Sequence, residues 1–513
     1  MDRRDAWGVA GLWVLLAVVY AAIGPWGDFP LNDDFVFAET VRRLLETGTL
    51  RLSQWSLPAN IPHILTGTLA ALVVGAGDQA LRGANMAVGA CVATAVYLLL
   101  RDLRLPPARA FAGAATVACG PLFLAMAASF HADVNSMLWQ TLGLWALVRG
   151  LRSGRGRPLA VASLLIGLCA LNRQSSVLLL AGASIAAARE GRGGALRWAA
   201  LWAPAAAVMA AYVVWFRWDH GLTWAWAAGR HTSGLGGGSP LEGLRAVVVR
   251  LAGSALTLGG LLLPLSAAAA PAVLSRRLRG REAAALAGTL GLCAVGLAWG
   301  GGMPLLENTL TRWGLGVVTL NSPELKEAGW WGGPWAWGAG SAVCLASLSV
   351  LARLPFAGEG HLAARGLGWT VAVPLAALFI LPRFYDRYLL TVLPAAVAGV
   401  LLLSRGLALA RGPAAVGCVL LAGLSTAGLR DYFAWNRARW DAGLYAVGKG
   451  LRPEQVENGF DWDGKFSLEK NMAALLARKP PSEIGVWDWM AVNRVAAITS
   501  FSHRPPLEGF VPA

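Results

Sequence analysis

The sequence predicts an all-α, polytopic membrane protein. Of its 513 residues, 56% are hydrophobic and 14% charged, where a soluble protein carries nearer a quarter charged. The apolar residues gather into runs such as 8-GVAGLWVLLAVVYAAIG-24, long enough to cross a bilayer core of ~30 Å. The arginines gather in short gaps between the runs, as orientation in a membrane demands.

The first run is followed by no small-residue cleavage site, so it reads as a retained span rather than a signal peptide. Arg3 and Arg4 precede it. Later basic gaps hold Arg101, Arg104 and Arg109; Arg149, Arg152, Arg155 and Arg157; Arg189, Arg192 and Arg197; Arg276, Arg277, Arg279 and Arg281; Arg353 and Arg365; Arg405 and Arg411. Placing these in the cytoplasm predicts spans at 8–24, 82–100, 109–128, 134–149, a pair within 158–188, 198–216, 245–270, 283–303, 334–352, 367–382, 389–403 and 413–429. That is about 13 spans, with the N-terminus inside and the C-terminus outside. The net charge of +15 is then a matter of orientation, and no nucleic-acid partner is expected. Cys91, Cys119, Cys169, Cys293, Cys344 and Cys418 all fall in apolar runs without CxxC spacing, which predicts neither a zinc site nor a disulfide frame.

The pair within 158–188 must leave and return in about 30 residues, giving arms of ~21 Å. Its tip, 172-NRQSS-176, sets Arg173 below the outer surface, where a polar group needs a water-filled cavity or a protein interior. The predicted organisation is a transmembrane domain over 1–429, with a first outer loop at 25–81, and a small outer segment over 430–513. Trp330, Trp331, Trp335 and Trp337 suggest an interface belt.

Within the first loop, 32-NDDFVFAETVRRLLETG-48 reads as a short amphipathic helix at the membrane surface. Asn32 is the expected N-cap, and Asp33 and Asp34 fill a first turn that favours negative charge. Phe37, Val41, Leu44 and Leu45 make the apolar face; Glu39, Arg42, Arg43 and Glu46 make the polar one. Gly48 suits the helix end. Helix initiation alone accounts for one acidic residue more naturally than for two.

The other outer loops add to them. Asp133 stands in 129-SFHADVN-135 beside His131, at a depth where acidic groups are costly and functional. Arg383 and Arg387 stand in 383-RFYDRYLL-390, where a guanidinium fork suits a phosphate or a pairing with Asp386. Carboxylates (Asp33, Asp34, Asp133) and arginines (Arg173, Arg383, Arg387) thus share one membrane face. That combination suits attack of a hydroxyl on a phosphate-linked carbon: a carboxylate takes the proton and cations stabilise the departing phosphate. His131, Asn135 and Tyr388 are further candidates for substrate contact. Asp34, Asp133 and His131 are also candidate ligands for a divalent cation such as Mg or Mn.

These stretches resemble membrane glycosyltransferases of the GT-C class, in the group of the protein O-mannosyltransferases and lipid A aminoarabinose transferases. The run 33-DDFVFAETVRRLLETGTLRL-52 resembles that group's first outer loop, and 131-HADVN-135 its second acidic motif; 172-NRQSS-176 and 384-FYDRYLL-390 resemble segments of its bacterial members. The resemblance covers about 1–400. It implies a GT-C fold in a bacterial inner membrane, a polyprenyl-phosphate-linked hexose or pentose donor, and inverting transfer to a protein, glycan or lipid acceptor on the extracytoplasmic face. Asp33 matches the family's catalytic aspartate. Asp34 stands where many members have Glu, which leaves open which of the two is the base. The stretch 458-NGFDWDGKF-466 is expected to cap the outer face or line a substrate groove. A secondary transporter or lipid flippase is the rival reading, with Arg173 and Asp133 as its coupling site, but no inverted repeat is visible. A non-catalytic scaffold would leave the outer charge cluster unexplained.

Overall fold

A computed structural model describes residues 3–189, 194–219, 239–300, 305–320, 334–354, 361–379 and 384–500, apart from 54, 57–58, 279, 312–313, 318, 481–482, 486 and 494. Arg383, Trp330 and Trp331 lie outside the described residues. The described chain is almost wholly α-helical, with two pairs of two-residue strands: β1 (Leu310–Thr311) antiparallel to β2 (Gly314–Leu315), and β3 (Val456–Glu457) parallel to β4 (Ala497–Ile498).

The helices are α1 (Arg3–Ile23), α2 (Asp34–Thr47), α3 (Ile61–Val74), α4 (Asp78–Asp102), α5 (Pro107–Ala118), α6 (Pro121–Ala127), α7 (Ala132–Ser153), α8 (Gly156–Ala170), α9 (Leu178–Arg189), α10 (Ala195–Asp219), α11 (Pro240–Leu261), α12 (Leu263–Leu274), α13 (Gly280–Gly300), α14 (Pro334–Ala352), α15 (His361–Phe379), α16 (Leu393–Leu403), α17 (Arg411–Gly448) and α18 (Phe460–Leu476). By length and composition, α1, α4, α10, α11, α13, α14 and α17 can cross a membrane. The expected span 109–128 is instead a bent pair, α5 and α6, meeting at 66°. Pro121 explains the break, since it lacks the N–H that would continue α5. The expected span 245–270 likewise divides at Leu262, ahead of Pro264, into α11 and α12. One apolar helix, α3, stands where only an outer loop was expected; at 14 residues it is ~21 Å long, shorter than a full crossing.

Small residues let the helices close up. A Cβ on Gly143 or Gly150 of α7 would come within 2.7 Å of Ile166 and 2.5 Å of Leu159 on α8. One on Gly167 of α8 would come within 2.8 Å of Ala205 on α10. Such glycines permit backbone approach where lipid provides no hydrophobic drive for association. The α8–α9 pair encloses the tip 172–176 as a turn followed by a single 3-10 turn, Gln174–Val177. Its Asn172 amide is tied down at both ends: Nδ2 donates to Asn135 Oδ1 at 2.8 Å, and Oδ1 accepts from His63 N at 3.2 Å.

The C-terminal segment is bound to the membrane part rather than trailing from it. The helix α17 runs unbroken through 429–430, so the expected domain boundary falls within a helix. Arg439 on α17 pairs with Asp461 on α18 at 2.6 Å, both side chains fully buried, and also binds Asn436 Oδ1 at 2.9 Å and the carbonyl of Asn458. The other side of α18 rests on α2: a Cβ on Gly464 would come within 2.1 Å of the Phe35 ring, and Phe35 meets Phe460 edge-on at 5.5 Å.

Removing one member of a buried ion pair strands the other charge, at a cost of about 3–5 kcal/mol, whereas replacing both by apolar groups is close to neutral. Arg439→Met should therefore lower the thermal unfolding midpoint in detergent sharply. Arg439→Met with Asp461→Leu should recover most of the loss. Equal losses in the single and double variants would show that the pair does not dock the segment.

Candidate catalytic site

The helix α2 begins one residue later than its sequence suggests. Asn32 is not the N-cap: it sits in the left-handed region at φ 51°, a conformation asparagine tolerates. Asp33 is the N-cap residue, and its side chain makes no capping bond. Gly48 ends the helix as expected, left-handed at φ 68° with its N–H on Leu44 O. Phe35, Val36, Phe37, Ala38 and Val41 are buried against the protein. Neither aspartate is spent on starting the helix.

Their side chains diverge. Asp34 is 2% exposed, and its Oδ2 accepts from Phe130 N at 2.8 Å and Leu31 N at 3.4 Å. It therefore ties the start of α2 to the loop before α7. Asp33, with a side chain 23% exposed, faces the polar cluster. Its Oδ1 accepts from Trp55 Nε1 at 3.2 Å, and its Oδ2 accepts from Asn32 Nδ2 at 3.1 Å. The same Oδ2 lies 3.6 Å from His131 Nε2 and 3.9 Å from Arg387 Nη2.

His131 and Asp133 begin α7, where the helix N-terminus favours negative charge. His131 Nδ1 is 2.5 Å from Asp133 Oδ2, and Arg173 donates to Asp133 Oδ1. Arg387 Nη1 lies 3.2 Å from His131 Nε2. Burial and Arg387 work against a charged His131 imidazole, but Asp133 and Asp33 outweigh them and raise its pKa. Arg173 stacks on the Tyr388 ring at 4.9 Å and Arg387 on the Tyr385 ring at 5.1 Å. The result is one chain of contacts, Asp33–His131–Asp133–Arg173, with Arg387 alongside.

Asp386 does not neutralise the Arg387 side chain. It is fully buried and accepts three backbone N–H groups: Thr309 at 2.8 Å, Leu310 at 2.6 Å and Arg387 itself at 2.6 Å. It anchors the hairpin after α13 to the short 3-10 helix Asp386–Thr391 that carries Arg387. Asn135 is also inside the protein, 1% exposed, with Asn172 and Trp139 on its oxygen and Thr66 on its nitrogen. Its amide is engaged in positioning α3, α7 and the turn of Arg173.

Two residues in this region were not expected from sequence. Trp55 stands in a loop with no periodic signal. Arg82, on α4, is 1% exposed. Its Nη1 donates to the carbonyls of Pro25 and Gly27, both at 2.9 Å, and its Nη2 to that of Phe29 at 2.5 Å. It thereby fixes the stretch that delivers Asp33. Among the described residues no group of three or more His, Cys, Asp and Glu side chains is placed to hold a metal ion.

The electrostatics separate the aspartates. Enclosure raises the proton affinity of Asp33, but the hydrogen bond with His131, the Arg387 charge and Trp55 outweigh it and hold the pKa at about 2. Burial dominates at Asp34 and lifts it from 3.8 to about 7, against His131, the Phe130 N–H and Arg82. Burial likewise lifts Asp386 to about 6, against its three backbone donors and Arg387. At neutral pH, Asp33 is the ionised, accessible carboxylate.

Residues 62–218 match the family model of the dolichyl-phosphate-mannose-protein mannosyltransferases, in agreement with the resemblance carried by the outer-loop motifs. No curated protein matches the sequence. Solved structures to which the chain is similar include ArnT from Cupriavidus metallidurans bound to undecaprenyl phosphate, at 14% identity over 88% of this chain and 84% of that one, with a TM-score of 0.39. The oligosaccharyltransferase AglB from Archaeoglobus fulgidus, in complex with an inhibitory peptide and a dolichol-phosphate, matches at 13% identity over 97% of this chain and 65% of that one (TM-score 0.38). The arabinosyltransferase EmbB from Mycobacterium smegmatis matches at 13% identity over 85% of this chain and 41% of that one (TM-score 0.36).

The shift at Asp34 sets a pH dependence. The folded state holds this proton more tightly than the unfolded chain does, so the stabilisation is complete below about pH 4 and is lost as the pH rises through about 7. Asp34→Asn keeps an oxygen for Phe130 N and removes the titration. Relative to wild type, it should gain thermal stability from about pH 4 to about pH 7 and level off above that. A stability difference that is flat across that window, or that moves the other way, would contradict the burial of Asp34 as a charge-disfavouring site.

Proposed function

We propose that this protein is a GT-C type membrane glycosyltransferase that moves a sugar from a polyprenyl-phosphate donor to an acceptor hydroxyl, with inversion at the anomeric carbon. The observation that carries this reading is the convergence of Asp33, His131, Asp133, Arg173 and Arg387, which come from three separate outer loops and the α8–α9 turn. The family match over 62–218 supports the same chemistry, and the distribution of arginines supports an extracytoplasmic site.

In this reading the acceptor oxygen attacks the anomeric carbon while the bond from that carbon to the phosphate oxygen breaks. The proton passes to Asp33, and the phosphate departs with its charge. Arg387 and Arg173 receive that charge as it develops. Arg387 is 3.9 Å from Asp33 in the structure. When it turns to the phosphate, one of the influences that depresses the Asp33 pKa is withdrawn, so donor binding makes Asp33 a stronger base. His131, held by Asp133, keeps Arg387 and Asp33 on the same side of the reacting bond. Asp34 and Asp386 position the loops and do not touch the reactants.

The test is transfer from a labelled polyprenyl-phosphate sugar in proteoliposomes. Asp33→Asn should lose about 10²–10⁴-fold in turnover, the range for a positioned general base, and Arg387→Gln should be comparably impaired. Asp34→Asn should lose far less. Retained turnover in Asp33→Asn would sink the base assignment; loss in Asp34→Asn with retention in Asp33→Asn would move it to Asp34.

A further inference from the structure

The helices α4 and α7 carry a second charged site at their other ends. One end of each lies in or beside the carboxylate cluster: Asp78 of α4 pairs with Arg42 of α2, and Asp133 opens α7. Asp102 is 24 residues further along α4, ~36 Å away, and Arg149 is 16 residues beyond Asp133, ~24 Å away, at 1.5 Å per residue. That separation is close to a bilayer core. At this far end Asp102, Arg104, Arg149, Arg152, Ser153, Arg155 and Pro158 line an open groove of about 720 Å³.

The groove is strongly one-sided in charge. Its single carboxylate, Asp102, is engaged by Arg149 at 3.3 Å, and the Asp102 carbonyl accepts from Arg152. All four arginines are exposed. Among the described residues the guanidinium groups of Arg104 and Arg155 make no hydrogen bond or ion pair. Arg155 is also the N-cap residue of the 15-residue helix α8, whose positive end adds to the field. Membrane orientation explains why arginines lie on this face. It does not require four of them around one concavity with two unengaged.

We propose that this groove binds the phosphate headgroup of an anionic phospholipid in the leaflet opposite the carboxylate site. Guanidinium groups suit the paired oxygens of a phosphodiester, and they stand where the helix ends meet the headgroup layer. The bound lipid would brace α4, α7 and α8 against one another. The far end of α7 carries Asp133, and α8 leads into the turn of Arg173, so the brace fixes the frame on which those two residues meet.

Native mass spectrometry of the full-length protein, delipidated and then titrated with phosphatidylglycerol, phosphatidylcholine or inorganic phosphate, tests the proposal. Wild type should retain phosphatidylglycerol in preference to phosphatidylcholine. Arg104→Gln with Arg155→Gln removes groups that hold no internal partner, so the variant should fold normally, shown by an unchanged unfolding midpoint. It should bind phosphatidylglycerol roughly ten-fold more weakly, as expected for losing about 1.4 kcal/mol of charge-assisted contact. Arg276→Gln with Arg277→Gln, in a different basic gap, should bind as wild type does. Equal phosphatidylglycerol binding by the Arg104/Arg155 variant and wild type, no preference over phosphatidylcholine, or displacement of the lipid by inorganic phosphate at equal concentration would each overturn it.

Discussion

The candidate site is organised by the need to neutralise Asp133. This carboxylate is 5% exposed, and a buried charge without partners is unaffordable in a helical membrane protein. One oxygen goes to Arg173 and the other to His131. The first contact requires the α8–α9 turn to come up against the start of α7. The second orients the imidazole so that its remaining nitrogen meets Arg387 and Asp33. Two carboxylates, two guanidinium groups and an imidazole then meet within one cluster. The guanidinium groups of Arg173 and Arg387 are assembled there beside Asp133 and Asp33.

Around this cluster the protein spends its polar groups on holding loops. Arg82 grips three carbonyls ahead of Asp33, Asp34 grips the Phe130 N–H, and Asp386 grips three N–H groups around Arg387. Each is a buried side chain whose hydrogen-bonding capacity is taken up largely by backbone. The C-terminal segment contributes from above: α18 packs on α2 and is itself locked to α17 through Arg439 and Asp461. Asp33 is therefore mounted on a short helix held by α3, α4 and α18 rather than on a free loop.

Much of this was legible in the sequence, because hydropathy and charge report directly on the membrane. The runs read as spans fall on helices, although 109–128 and 245–270 are each broken in two; the end of α2 at Gly48 follows from glycine's freedom at positive φ, and the polar tip at Arg173 was recognisable from the length of its arms. The convergence of Asp33 with Asp133 followed only from their sharing a membrane face. The rest depends on contacts between residues far apart in the chain. Nothing local distinguishes Asp33 from Asp34; the difference comes from Phe130 and Arg387, about 100 and about 350 residues away. Asn32 looked like a cap because its composition suits one, but tertiary contacts claim both following carboxylates. Trp55 and Arg82 gave no periodic signal, and α3 was too short for a hydropathy reading to separate from its loop. Arg383 lies outside the described residues.

The central claim is that the departing phosphate is received by Arg387 beside Asp33. It is tested most directly by an experimental structure of the protein with a polyprenyl phosphate bound. The phosphate should lie within hydrogen-bond reach, about 3 Å, of the Arg387 guanidinium, and on the Asp33 side of His131. A phosphate held elsewhere, with Arg387 still turned to His131 and Asp33, would contradict the account.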